Sequence, residues 1–193
     1  MKKIFLFFMT YLFGLVALGQ NGYIKLKNDS IRVGYLRSYV SFEDGHQGIE
    51  LWRTKSDKKP LKIPKHDIDE YAIKKDTFRV LRNFKPFQDS KEYFEMVDAK
   101  LQARGKINLY VIENYKTTTT VTPTGGTMSY GFDLYVLEDI ETGIIKGLPF
   151  KKEKLVESLI EFFPEKYVSK YTSVKGKITH KSVPDLVRLF NSK

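Results

Sequence analysis

The residues best suited by type and spacing to chemistry are His66-Asp67-Ile68-Asp69-Glu70, three carboxylates and an imidazole within five positions. Carboxylate oxygens take hard cations, so the run is a candidate calcium or magnesium loop. Such a loop needs further oxygens and a glycine at a fixed offset, and neither is present. The run reads instead as a solvated turn between two strands, with Ile68 tucked inward. The other histidines, His46 and His180, are distant in sequence, and no His-Glu-x-x-His occurs. Glu92 with Glu95, or Glu138 with Asp139 and Glu141, could do acid–base work only if folding buried and paired them. They read as strand edges and turns. With no cysteine there is no thiolate nucleophile, no disulfide and no Cys-ligated metal. Neither a Gly-x-Ser-x-Gly elbow nor a phosphate-cradling glycine loop is found. No catalytic, cofactor-binding or metal-ligating residue is therefore assigned, and no cofactor is expected. The chain reads as a binding or structural protein rather than an enzyme. A hydrolase built from scattered carboxylates and histidines is the enzymatic alternative.

What the sequence states more clearly is a destination. Met1-Lys2-Lys3 is followed by fifteen uncharged residues, Ile4 to Leu18, and then by small residues before Gln20. This is the three-part pattern of a cleaved signal peptide, here residues 1–19. The apolar run is short for a spanning helix, and no second run of spanning length follows, so no transmembrane segment is expected after cleavage. Lipid attachment at the cleavage site would need a cysteine. The expected location is the periplasm, the periplasmic face of an outer membrane, or the exterior. The whole chain carries +10. For an exported protein that charge speaks against nucleic acid and for lipopolysaccharide phosphates, anionic headgroups or an acidic envelope protein. Lysines that merely solubilise the surface are the plainer reading.

Residues 20 to 148 read as strands joined by turns, in a single domain spanning 20–193. Tyr23 to Leu26, Ile31 to Phe42, Ile49 to Thr54, Leu61 to Ile63, Tyr71 to Lys74 and Thr77 to Phe84 have strand composition. One hairpin joins Glu92–Leu101 to Lys106–Tyr115 through Ala103-Arg104-Gly105, with Gly105 supplying a positive φ. Its expected register sets Leu101 opposite Ile107, Ala99 opposite Leu109 and Val97 opposite Val111, all on one apolar face. A second hairpin turns at Glu141-Thr142-Gly143 and sets Glu138 opposite Lys146 and Val136 opposite Leu148. The tetrad Thr117 to Thr120 extends the strand before it, and Pro123, Gly125 and Gly126 then open a loop. Trp52 and the other rings, alternating along strands, read as core or cross-strand pairs rather than a ligand-stacking surface.

After Pro149 the period becomes helical. Leu155, Leu159, Phe162 and Phe163 make one apolar stripe, and Pro164 ends that helix and opens a second. Ser182 and Asp185 have capping-box spacing before a last helix carrying Leu186, Val187 and Phe190. The fold class is therefore α+β, a mainly antiparallel β-sheet followed by two or three short C-terminal helices. A small outer-membrane β-barrel is the runner-up. From Lys151 onward ten basic residues face five acidic ones. Lys151, Lys152 and Lys154 fall in the first turn of their helix, where the macrodipole favours acids. Helix stability does not explain them, so they are the candidate surface for an anionic envelope component or acidic partner.

Three fragments carry a resemblance. Gly22-Tyr23-Ile24 with Asp29-Ser30-Ile31 and Gly34 is similar to an opening Gly-Tyr-Ile…Asp-Thr-Ile-x-Gly pattern. Gly105-Lys106-Ile107-Asn108-Leu109-Tyr110 resembles a central Gly-Lys-x-x-Leu-Tyr strand, and Phe190-Asn191 a closing Tyr-Asn. Together they resemble exported envelope proteins of bacteroidete-type Gram-negative bacteria. The implied role is that of an envelope module, and no catalytic residue carries over. Asn28-Asp29-Ser30 departs from the commoner Gly-Asp-Thr. Asp29-Ser30-Ile31 also resembles an O-glycosylation site of exported proteins, although a turn needing Asn and Asp explains it as well.

Overall fold

Asn28 and Asp29 make the first turn that sequence chemistry points to. The Asn28 Oδ1 accepts from the Ser30 amide at 3.2 Å and from the Ser30 hydroxyl at 2.7 Å. Asp29 takes the left-handed conformation, φ 61°, which its short polar side chain tolerates. The computed structural model describes residues 20–40, 47–87, 90–121 and 127–192. The signal segment 1–19, most of the turn at Glu43–Gly48 and the Pro123–Gly126 loop lie outside them. The chain divides into two compact units, up to Thr77 and from Phe78. The expected β-rich stretch is thus shared between two units, and their boundary falls inside one strand.

The first unit holds β1 (Gln20–Leu26), β2 (Ile31–Val40), β3 (Gln47–Trp52), β4 (Leu61–Pro64) and β5 (Ile68–Ile73). They pair antiparallel in the order β5-β1-β2-β3-β4. Ile24, Leu36, Ile49, Leu51, Ile63 and Ile68 are buried. Gly22 lies opposite Gly34, and β-carbons there would run into the Ala72 and Trp52 carbonyl oxygens respectively. These glycines let strands approach where any side chain would hold them apart.

The second unit holds most of β6 (Asp76–Phe84), then β7 (Phe94–Ala103), β8 (Ile107–Val121), β9 (Thr127–Asp139) and β10 (Ile145–Gly147). Three helices follow: α1 (Lys152–Phe162), α2 (Glu165–Lys175) and α3 (Val183–Asn191). Antiparallel strands followed by short C-terminal helices match the α+β expectation. The strand order is β10-β9-β8-β7-β6. Ile107, Leu109 and Leu137 pack against Leu155, Leu159, Phe163, Leu186 and Val187 from the helices. Tyr110, Ile112, Leu134 and Val136 belong to a separate cluster with Leu81, Phe84 and Ala99. As expected, β8 continues through the threonine tetrad. Among the described residues no helix is long and apolar enough to cross a membrane.

Both hairpins exist, and both registers differ from expectation. Lys100 pairs with Val111 and Leu101 with Tyr110, and the register shifts between Leu101 and Ala103. Leu101 and Ala99 therefore share a cluster with Tyr110 and Ile112, not with Ile107 and Leu109. The cause is that β8 is apolar on both faces, so alternation alone selects no register. Gly105 is not at positive φ. Its missing side chain instead makes room for the Asn191 amide group. In the second hairpin Ile145 pairs with Glu138 and Gly147 with Val136, one residue from expectation. A β-carbon at Gly147 would meet the Pro86 carbonyl oxygen, which suits a glycine to that position.

The helix ends also differ in detail. Ser182 precedes α3, but its Oγ accepts from the Thr179 amide at 2.9 Å rather than capping α3. Asp185 pairs with Arg188 at 3.4 Å. At the far end, the Asn191 Nδ2 donates to the Ile107 carbonyl at 2.8 Å, and its Oδ1 accepts from the Ile107 amide at 3.2 Å. The closing Asn thereby docks onto the Gly105-Lys106-Ile107 segment. Asn191→Ala removes both bonds and leaves the Ile107 amide and carbonyl without these partners. It should cost about 2 kcal/mol, read as a lower urea midpoint; an unchanged midpoint would mean water replaces the amide.

Candidate functional site

The most site-like feature of the second unit is a run of aromatic rings beside the candidate lysines. A bulge in β8 prepares it. Ile112 pairs with Leu134 but Lys116 with Phe132, with the register shifting between, and Asn114 sits at φ 53°. The Asn114 amide donates to the Asp133 carboxylate at 3.0 Å. Residues three apart on a regular strand face opposite ways. The bulge lets Ile112 and Tyr115 pack with the same cluster.

Phe150 follows β10, where the Leu148 amide donates to the Tyr135 carbonyl at 2.8 Å. Its ring stacks on Tyr115 at 6.2 Å and on His180 at 4.8 Å. His180 stacks in turn on Tyr135 at 5.6 Å. Phe87 and Phe132 meet Phe150 edge-on, each at 6.4 Å. The Pro149 carbonyl lies 2.8 Å from the His180 Nε2. A carbonyl can only accept, so Nε2 is the donor in this contact and the ring is held in one orientation. Phe132 and Phe150 nevertheless remain 47% and 41% exposed.

Charges flank the rings. The Tyr115 hydroxyl donates to Glu92, and Lys116 pairs with Glu92 at 3.4 Å while lying 5.3 Å over the Tyr115 ring. Burial, then the Glu92 hydrogen bond, push the Tyr115 hydroxyl up to about 12. The same hydrogen bond and Lys116 hold Glu92 below the usual carboxylate range. Burial also raises Tyr135. Lys151 immediately follows Phe150 at the N-cap of α1, Lys152 opens the helix and Lys154 completes its first turn, all three exposed. Among the described residues Lys151 and Lys152 make no salt bridge. The arrangement offers flat apolar surface next to positive charge.

The other candidates do not converge. His66 and Asp67 lie 3.4 Å apart, both exposed, in a 3-10 turn, Lys65–Asp67, whose Lys65 is buried. Ile68 is fully buried, as expected. Asp69 pairs with Lys25 at 3.8 Å, whereas Glu70 is buried and accepts from the Tyr23 hydroxyl at 2.6 Å. Among the described residues no group of three or more His, Asp and Glu is placed to hold a metal. Asp139 accepts from the Glu141 amide at 2.9 Å within its own turn. Trp52 pairs across strands with Tyr35 and lies 5.3 Å from the Arg37 guanidinium. His46 lies outside the described residues.

The ring stack is not visible in the sequence because its members run from Tyr115 to His180 in four separate segments. Glu138, read from the sequence as part of a strand edge or turn, is instead buried and hydrogen-bonded. Glu138 accepts from the Tyr110 hydroxyl at 2.7 Å and from the Asn108 amide at 3.0 Å, with Arg79 at 3.7 Å. Asn108 amid the apolar residues of β8 was a further sequence signal. Comparison with family models, with curated proteins and with solved structures finds no match for this chain.

Proposed function

We propose that this protein is an exported cell-envelope module that binds rather than catalyses, and that its binding face is the ring stack with the lysines beside it. The observation that carries this reading is the conjunction of two exposed phenylalanines, Phe132 and Phe150, with Lys151 and Lys152, exposed cations that make no salt bridge among the described residues. Exposed apolar clusters on a folded surface mark interaction sites. Rings that enter an interface while cations meet headgroups suit an anionic lipid or lipopolysaccharide surface. The signal-peptide pattern and the resemblance to envelope proteins support the same location. An acidic envelope protein is the other partner this chemistry would accept.

The test is sedimentation with anionic vesicles at low salt. Each lysine near such a surface contributes about 1 kcal/mol. Changing Lys151, Lys152 and Lys154 to Gln should weaken binding tenfold or more. Screening over about 8 Å at 0.15 M salt should shrink the difference. Equal binding by both proteins at low salt would reduce these lysines to a solvated face.

A further inference from the structure

In the first unit a second basic feature stands independently of that reading. We propose that the cleft between the β1–β2 turn and β4 binds a phosphate ester, with the phosphate on Lys27, Arg32 and Lys62 and the esterified group on the apolar wall. The cleft is open and encloses about 360 Å³. Lys27 and Arg32 flank the hairpin turn, Lys62 comes from β4, and Leu26 and Ile63 are among the apolar residues lining the same space. A volume of this size holds a small organic ligand.

Among the described residues the charges there are not balanced from within. Among the described residues neither Lys27 nor Arg32 makes a salt bridge. The turn's own carboxylate, Asp29, is held by Lys25 at 2.9 Å. Glu50, which pairs in register with Lys62, is taken by Arg37 at 2.6 Å. Lys62 lies 5.4 Å over the Tyr39 ring. Among the described residues, the one carboxylate lining the cleft, Asp67, faces His66 at 3.4 Å. Three cations around one carboxylate repel one another, and a doubly charged anion relieves that repulsion. A guanidinium grips phosphate oxygens two at a time, and ammonium groups add point charge. Bare phosphate would leave the apolar wall wet, so an ester with an apolar body is the better fit.

The test is calorimetric and amide-NMR titration of the full chain with hexyl phosphate, inorganic phosphate and hexanoate. Hexyl phosphate should bind tightest and shift the amides of Lys27, Asn28 and Lys62. Arg32→Gln and Lys62→Gln, at exposed positions, should each weaken it about tenfold while amides away from the cleft stay unchanged. Lys151, Lys152 and Lys154 to Gln should leave hexyl phosphate binding intact, which keeps this site separable from the vesicle-binding face. That triple variant, offered vesicles containing phosphatidic acid, decides the source. Displacement by hexyl phosphate identifies a lipid headgroup, and titration without displacement a soluble ester. Hexyl phosphate binding no tighter than inorganic phosphate, or equal in wild type and Arg32→Gln, would overturn the proposal.

Discussion

Gly22→Val should unfold the first unit, with Gly34→Val close behind. Neither glycine has a left-handed backbone, so the expected loss is steric and not conformational. A β-carbon on Gly22 would collide with the Ala72 carbonyl and press on the Leu36 Cδ1 at 2.9 Å. At Gly34 the obstacles are the Trp52 carbonyl and the Leu51 Cδ1 at 2.7 Å. At each glycine the nearest obstacle is a backbone carbonyl, which cannot swing aside as a side chain can. Overpacking of a tight core costs about 1–3 kcal/mol and more where nothing yields. Against a total stability of about 5–15 kcal/mol, a loss above ~3 kcal/mol is severe. Amide exchange in β1, β2 and β5 should lose most of its protection. Gly143→Ala is the informative contrast. Gly143 has φ 71° with nothing near its missing β-carbon, so only the backbone preference is lost, about 1 kcal/mol. Protection unchanged in Gly22→Val would show that these strands can separate without cost.

What could be read from the chain follows from how local each signal is. The Asn28-Asp29-Ser30 turn, the two hairpins and the helical stripe of Leu155, Leu159 and Phe162 depend on neighbours in sequence, and the structure has them. The strand registers depend on which apolar face meets which cluster. With β8 apolar on both sides the odd and even residues were equally eligible. Gly105 was visible as a glycine, but its reason lies 86 positions away at Asn191, whose amide occupies the space. The division into units had no signature at all, because it falls within the uninterrupted strand β6 rather than in a linker. The lysines at 151, 152 and 154 were legible as cations without a helical reason. The rings beside them were not, since stacking of Phe150 on His180 follows only from the path of the chain after β10.

Glu138→Ala should be the most damaging polar substitution, and its logic begins with register. Asn108 pairs directly with Glu138 across β8 and β9, and Tyr110 lies opposite Val136 one step along the same face. Around them Leu109 to Ile112 and Leu134 to Leu137 carry no charge that would select a register. Slipping by one residue would turn Glu138 away from both partners, so the three polar groups hold the pairing that alternation leaves open. All three are buried, with Tyr110 1% exposed. Removing the carboxylate leaves the Tyr110 hydroxyl and an Asn108 hydrogen without their acceptor, and Arg79 without this counterion. Breaking such a buried pair costs about 3–5 kcal/mol. Glu138→Gln keeps an acceptor oxygen and should lose about half as much. The same environment acts on Tyr110, whose hydroxyl is raised above the ordinary tyrosine value by burial first and then by Glu138. A group whose folded value is raised contributes stability that is complete below its unfolded value. That contribution disappears as pH climbs through the folded one. Wild type should therefore keep its urea midpoint, as far as these tyrosines set it, up to about pH 10 and lose it steadily above. Tyr115, raised to about 12, acts in the same direction between those limits. Absorbance at 295 nm should show Tyr110 ionising only as the protein unfolds. Tyr110→Phe should flatten the alkaline decline. A Tyr110 that titrates near pH 10 in the native protein, or a Glu138→Ala midpoint equal to wild type, would show that this network neither excludes water nor fixes the register.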